Sequence, residues 1–96
     1  MTGNRVLEIR ARLIAAFSPT ELEVADQSHK HVGHEGAKDG RGHFSVKIIS
    51  PRFAGRKTIE RHRMVYEALD AMMKTDIHAL SVRAAATEAE LLNRSR

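Results

Sequence analysis

Six histidines and no cysteine set the chemistry open to this 96-residue chain. Neutral imidazoles coordinate iron, zinc or copper. Without cysteine there is no disulfide, no thiol nucleophile, no Cys-based zinc site and no iron–sulfur cluster ligated by this chain alone. Three of the histidines, His29, His31 and His34, stand in the stretch Ser28-His29-Lys30-His31-Val32-Gly33-His34-Glu35-Gly36. A closed zinc site needs four fixed ligands, and a glycine-rich loop fixes none by itself. Three readings of this loop stay open: a site completed by a partner, an autonomous site that also draws on His43, and a solvated loop with no role. His78 differs in kind, because it opens a strand on the face shared with Leu80 and Val82. There a histidine at the rim of the core, with one hydrogen bond satisfied, is the plain expectation. His62 projects onto the apolar arc of a helix, where packing is the better reading.

The second constellation is basic. Arg52, Arg56, Lys57, Arg61 and Arg63 fall within twelve residues with Glu60 as the one acid, a local surplus equal to the +4 of the whole chain. Such a cluster beside a helix N-terminus suits phosphate or carboxylate groups. Phe53 is its one aromatic, so stacking on bases has little support. A solvated basic face is the plain alternative. Gly33-His34-Glu35-Gly36 spells G-x-x-G, but it joins two expected strands, whereas the KH nucleic-acid loop joins two helices. No nucleophile elbow, Walker loop or paired-carboxylate site is present, so no enzyme is expected.

The elements that must position these groups follow from hydrophobic period. Residues 4–17 read as a helix with Val6, Ile9, Leu13 and Phe17 on one stripe and Leu7 and Ile14 on its flank. Arg10 lies in that stripe, its stem covering apolar surface. Ser18-Pro19 stops the helix. Residues 21–26 alternate as a half-buried strand. Residues 28–42 form a long loop with four glycines. Residues 43–50 form a second strand with Phe44, Val46 and Ile48 on one face. Residues 58–74 return to helical period from Thr58, the expected N-cap, with Ile59, Val65, Tyr66, Leu69, Met72 and Met73 on one broad face. Residues 77–86 form a third strand, with Ile77 on the face opposite His78. Thr87-Glu88-Ala89-Glu90 is a capping box opening a short final helix that carries Leu91 and Leu92.

The order is therefore α-β-β-α-β-α, an α+β domain with helices packed on a three-stranded mixed sheet. Two strands joined directly suggest an antiparallel pair, and the helical crossover allows a parallel contact with the third. At 10.7 kDa, with 42% hydrophobic and 29% charged residues, residues 1–96 are expected to form one folded domain. No apolar run is long enough to span a membrane, and no secretory signal is seen at the amino terminus. A cytoplasmic protein without membrane partners is the resulting expectation.

From Leu22 to Leu80 the chain resembles the BolA family. The resemblance rests on Leu22-Glu23-Val24 with Asp26-Gln27-Ser28, a His-containing loop and His43-Phe44. It continues through Arg52-Phe53-Ala54-Gly55 and Arg61-His62-Arg63-Met64-Val65-Tyr66 to Ile77-His78-Ala79-Leu80. It implies a class II KH-like fold, in which the place of the KH G-x-x-G is taken by a segment keeping only Gly55. It implies a non-enzymatic adaptor that pairs with a monothiol CGFS glutaredoxin and shares a glutathione-ligated [2Fe-2S] cluster, in iron–sulfur trafficking or iron and redox regulation. Carried over residue by residue, His78 is the principal metal ligand and His31 the loop ligand, with His34 its rival. The thiolates come from glutaredoxin and glutathione. Arg56, Lys57, Arg61 and Arg63 are the candidates to meet the partner or nucleic acid. The alternative implied by the family is a KH-like DNA-binding regulator of transcription.

Overall fold

The computed structural model describes residues 3–27 and 42–94. Helix α1 (Gly3–Phe17) is followed by strands β1 (Glu21–Asp26) and β2 (Gly42–Ile49) and a 3₁₀ turn (Pro51–Phe53). Helices α2 (Thr58–Ala68) and α3 (Asp70–Thr75), strand β3 (Ile77–Ala86) and helix α4 (Glu88–Arg94) complete the order. The α+β architecture expected from the pattern is present, with β2 in the centre of a sheet ordered β1-β2-β3. β1 runs antiparallel to β2, from Glu21 opposite Ile49 to Asp26 opposite Phe44. β3 runs parallel to β2. The expected loop at 28–42 lies outside the described residues, except for Gly42, which begins β2.

α1 buries Ile9, Leu13 and Phe17 and leaves Leu7 and Ile14 exposed, so the apolar stripe, and not its flank, meets the sheet. The helix ends where Ser18 turns to φ 46° and its N–H donates to Ile14 O at 3.0 Å, just before Pro19. In β1, Leu22 and Val24 pack on the core, while Glu21 and Glu23 stay exposed and pair with Lys47 of β2 at 3.1 and 3.5 Å. β2 buries Phe44, Val46 and Ile48 beneath the helices. Full burial of side chains of this size contributes about 1.5–3 kcal/mol each, and the core is continuous across both layers.

Between β2 and α2 the chain makes a 3₁₀ turn that hydrophobic period alone does not show. Buried Ser50 organises it: its hydroxyl donates to Phe17 O at 2.6 Å and accepts from Arg52 N at 3.1 Å. The turn inserts Phe53 into the core, 5.0 Å from the Phe17 ring centre. The helix expected over 58–74 is two helices. Leu69, at φ −107°, separates them, fully buried. α2 is capped by Lys57, whose backbone N–H donates to the Glu60 carboxylate at 3.0 Å, so Thr58 is the first helical residue and not the cap. Val65, Leu69 and Met72 are buried as the pattern requires, whereas Ile59, in the first turn of α2, is 62% exposed.

Candidate functional site

β3 has ten residues where β2 has eight, and the register absorbs the difference at two places. Gly42 is opposite Ile77 and His43 opposite Ala79, leaving His78 as an extra residue. Val46 is opposite Val82 and Lys47 opposite Ala84, leaving Arg83 as a second. A bulge of this kind interrupts alternation and re-aims the side chain it carries. Ile77 and Leu80, three apart, are accordingly both buried, at 1% and 9% exposure, while His78 and Arg83 are exposed. This corrects the expectation that His78 shares a face with Leu80 and that Ile77 opposes the core. Strict alternation misplaced both, because a bulge without glycine or proline leaves no mark in the pattern.

Beside His78, on the neighbouring strand, stands His43, whose ladder partner is Ala79. Their ring centres lie 5.1 Å apart with planes inclined at 51°. His43 is half-buried, its Nε2 shielded from solvent. The backbone around it is pinned on both sides: Gln27 N donates to His43 O at 2.7 Å, and Gly42 N to Asp76 O at 3.0 Å. A depression of about 180 Å³, lined by Gln27, His43, Phe44, Ala79, Leu80 and Ser81, opens beside His43. The pairing of His43 with His78 was not foreseen, although a signal existed. Both residues stand at the start of expected strands, and a parallel register places strand starts side by side.

His31 and His34, with His29, lie outside the described residues. Among the described residues no group of three or more potential ligands from His, Cys, Asp and Glu comes together. An exposed imidazole on a pinned strand suits a [2Fe-2S] cluster presented by a partner, and the donor set leaves most of that cluster's ligands to other molecules. His62 is half-buried on α2, in keeping with packing.

The basic residues divide. Arg61 is buried, at 9% exposure. Its Nε donates to Arg56 O at 2.8 Å and its Nη1 to Ala85 O at 3.0 Å. Nη1 and Nη2 together grip the Glu90 carboxylate at 2.6 and 2.7 Å. The guanidinium also lies 6.0 Å above the centre of the Phe53 ring. Arg61 is thus consumed in joining α2, β3 and α4, which corrects its expected place on a partner-facing surface. Its grip, with help from the Thr87 backbone, holds the Glu90 carboxyl down at about 2. The expected capping box is present as well, with Thr87 N donating to Glu90 Oε1 at 2.9 Å and Glu90 N to Thr87 Oγ1 at 3.3 Å. Arg52, Arg56, Lys57 and Arg63 are exposed, Arg56 lying 3.8 Å from Glu60. A shallow cleft between Arg56, Glu60, Arg63, Met64 and Glu67 mixes both signs of charge.

A family model described as BolA-like protein matches residues 13–90. The chain belongs to the BolA family. Among curated BolA-like relatives, a chloroplastic protein of Arabidopsis thaliana named BOLA1 is 42% identical over 82% of this chain and 51% of its own length. The DNA-binding transcriptional regulator BolA of Escherichia coli is 40% identical over 77% of this chain and 68% of its own. SufE-like protein 1 of Arabidopsis, named as chloroplastic and mitochondrial, is 39% identical over 93% of this chain, which spans only 25% of that relative. Its BolA domain, solved on its own, superposes with a TM-score of 0.78 at 39% identity, covering 90% of this chain and 94% of that one. The solution structure of mouse BolA1 gives 0.72 at 36% identity, covering 95% and 71%. The mixed three-stranded sheet with packed helices is therefore the BolA fold. Family membership fixes no compartment, since relatives are named for organelles and for a bacterium alike. No helix among the described residues is long and apolar enough to cross a membrane.

Proposed function

We propose that this BolA-like chain is a non-enzymatic adaptor that pairs with a monothiol CGFS glutaredoxin and lends histidine to a glutathione-bound [2Fe-2S] cluster, in iron–sulfur trafficking or iron and redox regulation. The observation that carries this reading is the bulge at His78, which leaves one imidazole exposed at the start of β3. His31 or His34 supplies the second imidazole in this proposal, and the partner and glutathione supply thiolates. Imidazole in place of thiolate on one iron raises a cluster's potential and makes its ligation sensitive to protonation. This chain's own part is to orient His78, leave its ring accessible, and offer Lys57, Arg56 and Arg63 to the carboxylates of glutathione or the partner. The test is reconstitution with a CGFS glutaredoxin, glutathione, iron and sulfide, followed by visible absorption and circular dichroism. His78→Ala should abolish the heterodimer spectrum; an unchanged spectrum would sink the ligand assignment.

A second reading, a regulator that binds DNA, is favoured by the name of the E. coli relative and by the exposed cations around the start of α2. Because Arg61 is internal, the informative variant is Lys57→Glu with Arg63→Glu. On this reading the pair weakens DNA binding and flattens its dependence on salt. Unaltered affinity for DNA would remove the basic face from consideration.

A further inference from the structure

The outer face of α1 carries large apolar side chains that the sheet does not cover. Leu7 is 64% exposed and Ile14 49%. Ala11, also exposed, lies between them, so the three recur at i, i+4 and i+7 and form one stripe along the helix. This stripe is distinct from the one formed by Ile9, Leu13 and Phe17, which holds α1 on the core. Glu8 and Arg12 flank it, with Arg12 Nε and Nη2 donating to Glu8 Oε2 at 3.0 and 2.9 Å. That bond leaves Glu8 Oε1 and Arg12 Nη1 to a further partner. The pattern also reads the same from either end. Leu7 and Ile14 are equally far from the midpoint between Arg10 and Ala11, and Glu8 and Arg12 are equally far from Arg10.

We infer that the outer face of α1 docks a second copy of this chain as an antiparallel helix pair. A two-fold axis crossing the helix beside Ala11 sets Leu7 against the second copy's Ile14 and Glu8 against the second copy's Arg12. The two Ala11 residues meet at the crossing, where small side chains let the helix axes approach closely. Apolar and charged positions are thus both self-complementary under one symmetry operation, which is what selects a second copy as the occupant. A single helix pair with so few apolar residues buries less than the about 1,200–2,000 Å² of a specific, stable complex, so the association is weak and concentration-dependent. α1 packs on β1 and α2, whereas His78 begins β3 at the opposite edge of the sheet. The contact therefore makes no use of His78 and stands independently of the glutaredoxin reading.

The test follows the full chain by sedimentation velocity from about 10 μM to about 1 mM, a range suited to a weak interface. The sedimentation coefficient should rise with concentration toward that of a dimer. Leu7→Glu should weaken association at least tenfold and leave far-ultraviolet circular dichroism and Tm in place, because Leu7 is exposed. Glu8→Arg makes the flank wholly basic, and Arg12→Glu makes it wholly acidic. Each of these variants should associate less than the unaltered chain, while an equimolar mixture of the two should pair again, since opposite charges then meet across the axis. Because the chain has no cysteine, a nitroxide on Ala15→Cys reports the orientation cleanly. It should broaden the amide signals around Val6 and Leu7 of a ¹⁵N-labelled second copy. A chain that stays monomeric at the highest concentration, or undiminished association in Leu7→Glu, would overturn the docking face. Failure of the two charge variants to pair in the mixture, or broadening centred on residue 15 itself, would overturn the antiparallel contact.

Discussion

Arg61 reaches three carbonyl or carboxylate partners, on the segment before α2, on β3 and on α4, and a buried positive charge needs all of them. Arg61→Ala leaves the Ala85 and Arg56 carbonyls and the Glu90 carboxylate without their donor. Loss of hydrogen bonds of this charge-assisted kind is expected to cost about 1.5–3 kcal/mol, measurable by urea unfolding. Acid should reveal the same linkage. Glu90 has a folded-state value of about 2 against 4.5 for a free carboxyl. Its contribution is therefore fully present above about pH 5 and is lost as pH falls toward 2. The stability gap between the protein and Glu90→Gln should hold steady from neutral pH to about 5 and close below it. A gap that persists at pH 2 would show that ionisation of Glu90 is not the source. Nothing local in the sequence separates Arg61 from Arg63 or Lys57, because its carboxylate partner lies 29 residues away. The histidines were easier to rank: the I-H-A-L motif singled out His78, and only the folded structure brings the His43 ring beside it.

At the scale of elements, the helical layer guards the outer strands. β1 and β3 each have one strand neighbour, so each presents an edge open to pairing with another chain. Three side chains from helices donate to carbonyls on those strands: Arg10 to Leu22 at 3.1 Å, Tyr66 to Leu80 at 3.0 Å, and Arg61 to Ala85. The two bulges in β3 and the exposed acids of β1 further discourage edge-to-edge contact. Tyr66→Phe should cost about 1 kcal/mol and speed amide exchange along β3, while leaving α1 and β1 unaffected. Equal acceleration throughout the sheet would show that the hydroxyl acts globally. Strands 21–26 and 77–86 were legible from period and punctuation to the residue. The break at Leu69 was not, since leucine is a strong helix former and only tertiary packing turns the chain there. Ser50-Pro51 marked the end of β2 correctly, yet nothing in it announced that the next residues would carry Phe53 inward.

Over the whole molecule, one continuous core joins α1, the sheet, the 3₁₀ turn and the α2–α3 pair, with Leu69 at the junction of the two helices. Leu69→Ala should destabilise by about 2–5 kcal/mol. In a domain of this size each kcal/mol lowers Tm by about 4–8 °C, so the variant should melt at least roughly 8 °C lower by circular dichroism. A drop of only a degree or two would mean that the helix junction relaxes into the gap. The same core depends on a centre strand with no near neighbour in sequence. β2 pairs on one side with β1, across residues 27–41, and on the other with β3, across the 3₁₀ turn and two helices. Neither ladder can close as a tight hairpin, so the entropy of two long loops is spent before either begins to return energy. Refolding should accordingly be slower than for a helical bundle of equal length, and the rate-limiting ensemble should be organised around β2, where both ladders meet.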